Sequence, residues 1–345
     1  MKTLDFSSRM TGADQEEFAQ YIRQLSRRVG FKMSARGWCY LLESERIINK
    51  DSFDKVNNWI VKAIKNGLLP VNFVAEDPSR EFRNVSYPSE ETPLEYYASF
   101  LEVAQRCGNY YDVDWFADEE YYIQVIVEKI DLRTLFDPIC QQFHIPIANA
   151  RGWPSVLSRA EYCRRFKEAD ERGLKCVLLY CGDHDPDGLR ISDTLRKNLH
   201  DIRNIYWSDG QTGYDPRDLI IERFGLNYSF IQEHNLTMID NLITGSGKNL
   251  ASPSHPNHYL DYVQDYIDEF GVRKCEANAV VVIPTAARLL ALDAILKYLG
   301  SDAADRFKAK RQGVIDEING FQDEMGINHL IEDTIKEARE RSNSV

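Results

Sequence analysis

Tyr122-Ile-Gln-Val-Ile-Val-Glu128 and Cys176-Val-Leu-Leu-Tyr-Cys-Gly-Asp-His-Asp-Pro-Asp-Gly188 are the two stretches that decide how this chain is read. Each opens as an apolar run of strand length and ends on acid: Glu128 in the first, Asp183, Asp185 and Asp187 in the second. Open α/β sheets hold their ligands beyond the carboxyl ends of their strands. Carboxylates two apart on extended chain point the same way, so Asp183 and Asp185 can share an ion. Clustered carboxylates with little His or Cys favour a hard cation such as Mg²⁺, and Gly188 permits a tight turn into a following helix. A run rich in Asp, Pro and Gly is also what a surface turn capping a helix looks like. Glu128 at a second strand end, with a βα unit between, tips the reading toward a metal site and phosphate chemistry.

Outward from these stretches, strand and helix alternate. Strand 122–127 leads to a helix over 132–143, a short strand at Ile145 to Ala148, a loop through Arg151-Gly-Trp-Pro-Ser155, and a helix over 156–172. Strand 176–181 follows, then a helix over 189–199 and a further strand from Ile202 to Trp207, with a mainly helical remainder. This order predicts a mostly parallel sheet with helices on both faces.

Upstream, Phe18, Ile22, Leu25 and Val29 repeat at helical spacing behind Asp14 as a plausible N-cap, and Gly30 ends that helix. Ser34 can cap a second helix through Trp38 and Leu42, and Ser52 a third with Val56, Trp59, Ile60 and Ala63 on its inner face. Leu68 to Val74 and Phe82 to Tyr87 then read as the strands of a hairpin. Three helices followed by a hairpin is the layout of a winged helix-turn-helix. The resulting division is a winged-helix domain over 1–87, a connector over 88–121, and an α/β domain with a helical C-terminal extension over 122–345.

With 345 residues, 43% of them hydrophobic, the chain can bury two or three cores. It has no apolar run of membrane-spanning length and no signal-peptide layout at its start, and its seven cysteines include no Cys-x-x-Cys pair. The expectation is an intracellular protein, cytoplasmic and nucleoid-associated or nuclear, with reduced cysteines and no membrane association. The net charge of −12 divides into +4 over residues 1–70 and −16 over the rest. A basic front, with Arg27, Arg28, Lys62 and Lys65 available to a DNA backbone, suits a nucleic-acid-contacting module, although exposed helix faces commonly carry such residues.

Glu128-Lys129, Gly152-Trp-Pro154, Asp183 to Gly188 and Lys274-Cys-Glu-Ala-Asn-Ala279 together resemble the Toprim domain of the topoisomerase VI A subunit and its relative, the meiotic double-strand-break transesterase. The order of winged helix then Toprim agrees, and the resemblance covers most of the chain. It implies a Mg²⁺ held by Glu128, Asp183 and Asp185, with Asp187, Lys129 and Gly188 in support. It also implies a tyrosine nucleophile four residues after an arginine. Arg36-Gly-Trp-Cys-Tyr40 keeps that spacing but departs from the family in the three residues between. Positions i and i+4 share a helix face, so Arg36 can hold the phosphate that Tyr40 attacks. The structural alternative is that Tyr40 is a core aromatic beside Trp38 and Leu42.

The function implied is Mg²⁺-dependent cleavage of DNA by a homodimer, leaving a 5′-phosphotyrosyl link, with the tyrosine and the metal of one site from different subunits. A separate B-type ATPase subunit would power strand passage. The rivals are a Toprim nuclease with water as nucleophile and a DNA-binding or scaffold protein that does not cut. Gly245-Ser-Gly-Lys248 fails as a phosphate loop, with Leu242 where the first glycine belongs and Asn249 for Ser/Thr. His255 and His258 lack cysteine partners for zinc. His184, between the two acids, could reach phosphate or be a solvated turn residue.

Overall fold

The computed structural model describes residues 11–75, 85–150, 155–243 and 249–343. The described helices and strands, in chain order, are α1 Gly12–Val29, α2 Ala35–Ser44, α3 Phe53–Lys65, α4 Pro93–Gln105, β1 Tyr121–Val127, α5 Ile130–Gln142, β2 Ile147–Asn149, α6 Val156–Glu171, β3 Lys175–Cys181, α7 Pro186–Leu189, α8 Ile191–His200, β4 Ile220–Gly225, α9 Tyr228–Glu233, α10 Asp261–Phe270, α11 Pro284–Leu299, α12 Ala303–Glu324 and α13 Ile327–Ser342. They fall into two compact units: Met1–Glu76 with Glu119–Leu299, and Asp77–Asp118 with Gly300–Val345.

The first unit is α/β. Its sheet is four-stranded and parallel, in the order β2-β1-β3-β4. Strand side chains alternate between faces. Gln124 Nε2 accordingly donates to the Tyr162 carbonyl on α6, while the neighbouring-face Tyr121 ring lies 5.2 Å from Tyr298 on α11. Helices α5 and α11 pack together on one side, α6 and α8 on the other. The centre of β1 and nearly all of β3 are buried, as the continuous apolar runs require of a sheet covered on both faces.

Two expectations change here. The stretch Ile202 to Trp207 is not a strand: it begins in a turn, and Tyr206 makes only an isolated bridge to Thr212. The fourth strand is β4, an edge strand whose Glu222 and Arg223 break the apolar pattern.

The N-terminal helices form as their spacing requires. Phe18, Ala19, Ile22, Leu25 and Val29 are the buried stripe of α1. Its N-cap is Thr11, which accepts the Asp14 N–H while Asp14 takes the Thr11 N–H in return. Ser34 caps α2 through the Gly37 N–H. After α3, Leu68 to Val74 forms turns instead of a strand, and the chain returns to the bundle where Ala75 N donates to the Met33 carbonyl at 2.8 Å. Phe82 to Asn84, in the expected second strand, lie outside the described residues, and Val85 to Tyr87 have no regular structure.

The second unit is helical. Ala98 on α4 packs with Ile335 and Ala338 on α13. On α12, Lys310 and Arg311 donate to carbonyls of the segment from Gly108 to Ala117. Much of residues 88–121, read from sequence as a connector, is thus built into this unit.

Inside the first unit, α2 meets the α/β part at a close approach. Asp131, buried at the start of α5, accepts from Ser34 N at 2.8 Å, Ser34 Oγ at 3.2 Å and Asn278 Nδ2 at 3.3 Å. A Cβ on Gly37 would stand 2.2 Å from Asp131 Oδ2. The carboxylate cannot retreat without dropping those bonds while buried. Gly37→Ala is therefore expected to destabilise this unit by about 1–3 kcal/mol, read as a lower urea midpoint by tryptophan fluorescence. An unchanged midpoint would mean that Asp131 is not pinned.

Candidate functional site

Strands β1 and β3 run in register from Tyr121↔Lys175 to Val127↔Cys181, so they end side by side. The chain leaves β1 at Glu128, whose N–H donates to the Cys181 carbonyl at 3.0 Å. It leaves β3 at Gly182 and Asp183. The Glu128 side chain faces the aspartate loop: its Oε2 accepts the Asp183 N–H at 2.9 Å and the Tyr180 hydroxyl at 3.4 Å.

The Asp183–Gly188 loop is strapped from several sides. Arg223 on β4 donates to the carbonyls of Gly182 at 3.2 Å, Asp183 at 2.8 Å and Leu226, and to Asn227 Oδ1 at 2.9 Å. His184 and Cys275 exchange backbone bonds of 2.8 and 3.0 Å. The His184 ring is buried among Tyr228, Tyr266 and Phe270, with Nδ1 3.0 Å from the Tyr266 hydroxyl. Burial first, and Arg223 second, push this imidazole down to about 4, so it is neutral at pH 7. It is a packed residue, not a solvated one.

Asp185 Oδ1 caps α7 by accepting the Gly188 N–H at 2.6 Å, and Asp187 accepts the Tyr262 hydroxyl at 2.9 Å. Gly188 is required by closeness: a Cβ there would stand 2.1 Å from the Asp183 carbonyl oxygen.

The side chain of Asp183 has two partners. Oδ1 accepts the Ala277 N–H at 2.6 Å and Oδ2 accepts from Lys129 Nζ at 2.8 Å. Lys129 also donates to Glu276 Oε2 at 2.5 Å, and Glu276 Oε1 accepts from Lys274 at 2.7 Å and Lys50 at 3.1 Å. Lys274 in turn donates to the Ile243 carbonyl at 2.6 Å. Three ammonium groups hold the Glu276 carboxyl far below the usual carboxylate range against the cost of its burial. Asp183 goes the other way. Burial, then Glu276 and Glu128, outweigh Lys129 and push it up to about 7; burial and Asp183 push Asp185 up to about 6.

Tyr40 comes to the same place. Arg36 Nε donates to its hydroxyl at 3.4 Å, and Lys129 Nζ lies 5.0 Å from its ring centroid. Its ring meets Phe53 edge-on at 5.1 Å. Tyr40 is half-buried and Arg36 exposed. The structure thus gathers Tyr40, Arg36, Glu128, Lys129, Asp183 and Asp185 within one chain, where the resemblance implied a tyrosine and a metal from different subunits. It leaves Arg27, Arg28, Lys62 and Lys65 in the exposed last turns of α1 and α3, with Arg28 paired to Glu45. Gly152-Trp-Pro154 and Gly245 to Lys248 lie outside the described residues.

Glu276, Lys50 and Arg223 were not among the expected site residues. The Lys274-x-Glu276 spacing is visible in the sequence, but nothing local tells that Glu276 meets Lys129 and Lys50. The carboxylates suit a hard divalent cation in donor type. In this arrangement Asp183 faces Lys129 and Asp185 faces its own helix, and among the described residues no three or more His, Cys, Asp or Glu side chains converge as a bound ion would require. Among the same residues no helix is long and apolar enough to cross a membrane.

The shifts set a pH dependence. A carboxyl raised in the folded chain keeps its proton where the unfolded chain has lost it. The stability from Asp183 and Asp185 is therefore full below their ordinary value of 3.8 and lost as pH rises through about 6 to 7. Glu276 acts oppositely: its contribution is present above its ordinary 4.5 and lost as pH falls below it. In chelator, the unfolding free energy should fall from pH 5 to pH 7 by up to about 1.4 kcal/mol per pH unit per group, and Asp183→Asn should remove much of that slope. A flat wild-type profile over that interval would contradict the assignment. The chain matches no family model, no curated protein and no solved structure.

Proposed function

We propose that the protein cleaves the DNA backbone with a divalent cation, Mg²⁺, at Glu128, Asp183 and Asp185, and that Tyr40 is the nucleophile. The observation that carries this reading is the meeting of two parts: Tyr40 lies against Lys129, whose ammonium sits on Asp183, beside Glu128 at the next strand end. A phosphodiester needs both halves. Arg36 and Lys129 flank the Tyr40 ring with positive charge suited to the phosphate oxygens. Attack by the Tyr40 oxygen on phosphorus, with its hydroxyl proton lost to solvent, forms the phosphotyrosyl bond and breaks the bond to the 3′ oxygen, which takes a proton in return and leaves as a hydroxyl. When bound, the cation supplies charge for the phosphate and for that leaving oxygen.

The three residues that depart from the resembled pattern have packing reasons. Gly37 makes room for Asp131, Trp38 stacks on Phe73 at 5.2 Å, and Cys39 Sγ lies 3.3 Å from Asn57 Oδ1. They face away from the job assigned to Arg36 and Tyr40. A homodimer and a separate ATPase subunit belong to the same proposal.

The second reading is hydrolysis, with water as nucleophile. The long 3.4 Å bond to Tyr40 and its packing on Phe53 favour it. Supercoiled plasmid incubated with the chain and Mg²⁺ separates the readings. Cleavage should fall ~100-fold or more in Glu128→Ala and Asp183→Ala. Tyr40→Phe should abolish both cutting and the DNA–protein adduct that survives denaturation. Full cutting by Tyr40→Phe with no adduct would establish the hydrolytic reading instead, and no cutting under any condition would favour a protein that binds without cleaving.

A further inference from the structure

We propose that the helical unit pairs with the same unit of a second copy of the chain, through the outward face of α4, in an antiparallel two-fold contact. This goes beyond the reading above and needs neither a cation nor Tyr40. The starting point is the side of α4 that is already used. Ala98 is fully buried, packed with Ile335 and Ala338 of α13. An α-helix turns by about 100° per residue, so Tyr96 and Phe100 point away from the side of Ala98. They are 61% and 58% exposed, and Val103, next along the same line, is 47% exposed. Cys107, which opens the short turn Cys107–Tyr110 after α4, comes next at this spacing and is exposed too. Such an outward face ordinarily carries charge. Here it carries an uncharged seam, and its steps of four, three and four residues are those by which helices pair.

The order of sizes along the seam selects the occupant and its direction. The side chains shrink from Tyr96 and Phe100 to Val103 and Cys107. Two copies running the same way would set large on large at one end and small on small at the other. Running in opposite directions, the seam is its own complement: Tyr96 meets the partner's Cys107, Phe100 meets the partner's Val103, and the two-fold axis repeats both. Every layer then holds one large and one small side chain, as close packing requires. The opposed helix dipoles favour the same direction. Tyr97, 47% exposed at the edge of the seam, widens the patch. The exposed parts of these side chains from two copies come to roughly 800 Å², and the polar residues edging them bring the contact to the ~1,000 Å² that a specific interface needs. A contact of that size forms reversibly, so the pairing depends on concentration.

Sedimentation of the full chain over a dilution series reads the pairing directly, without DNA or a cation. Wild type should pass from monomer toward dimer as its concentration rises. Phe100→Glu, which puts two carboxylates into the seam, should raise the dissociation constant about tenfold or more and leave the circular dichroism of the monomer unchanged. Should that variant misfold, Val103→Glu takes its place. A wild type that stays monomeric throughout overturns the proposal, as does a dimer that the glutamate variant leaves intact. Mild oxidation with diamide reads the direction. The other six cysteines are buried, and Cys107 stands about 16 Å along the helix from position 96, beyond disulfide reach within one copy. Tyr96→Cys should therefore give a disulfide-linked dimer joining positions 96 and 107, found by peptide mass spectrometry. Wild type should give no dimer linked through its two Cys107 thiols. Such a link in wild type, or none in a Tyr96→Cys sample that sediments as dimer, overturns the antiparallel arrangement.

Discussion

A carboxylate shut away from water survives only where charge and hydrogen bonds replace its lost hydration. Glu276 is in that position, and the ammonium groups of Lys50, Lys129 and Lys274 close on its two oxygens. They come from three places: the N-terminal helical part, the turn that follows β1, and the stretch that carries Glu276 itself. Taking away Glu276 would leave the three ammonium groups without their shared partner in a medium of low dielectric, where an orphaned charge costs several kcal/mol. The network is thus cooperative, and the rest of the site refers back to it. The lysine that reaches Glu276 is the one that also reaches Asp183 and lies against Tyr40.

Helix α2 is placed by a second buried carboxylate. Ser34 and Gly37, three apart, turn toward Asp131, one by donating two bonds and the other by having no side chain in the way. Arg36 and Tyr40, four apart, share a different face of the same helix. One face anchors the helix to the α/β part, and the anchoring aims the other. A side chain at Gly37 or a lost bond at Ser34 would displace Tyr40 without touching it. Residues of positioning value at this site are therefore expected among buried polar groups as well as among the exposed ones.

The parts of the chain that could be read from sequence are those whose signal is local. The stripe from Phe18 to Val29, the apolar runs of β1 and β3, and the glycine and serine punctuation of the first helices follow from periodicity and capping. Strand β4 escaped because an edge strand is only partly covered and carries Glu222 and Arg223, so its apolar pattern is broken. Ile202 to Trp207 misled because a short apolar-aromatic run suits a turn as well as a strand. The strand-end acids were legible because parallel topology alone brings Glu128 and Asp183 together. The contacts of Glu276 and Arg223 were not, because an ion pair spanning 226 residues, such as Lys50 with Glu276, leaves no trace in either neighbourhood.

The distribution of charge within the cluster is uneven in a way that matters for what it can bind. Glu128 is met by neutral donors, the Asp183 amide and the Tyr180 hydroxyl; Asp185 is met by the Gly188 amide, and Asp187 by the Tyr262 hydroxyl. Neutral donors steady a carboxylate without cancelling its charge. Glu276, in contrast, has more cations than it needs. The acids at the strand ends are left short of positive charge, the Glu276 side carries a surplus, and Lys129 is shared between them. A site divided in this way attracts a cation at one end and an anion at the other. On the proposed reading its complement would be a ligand that brings both together, as a phosphate group does with its counter-ion.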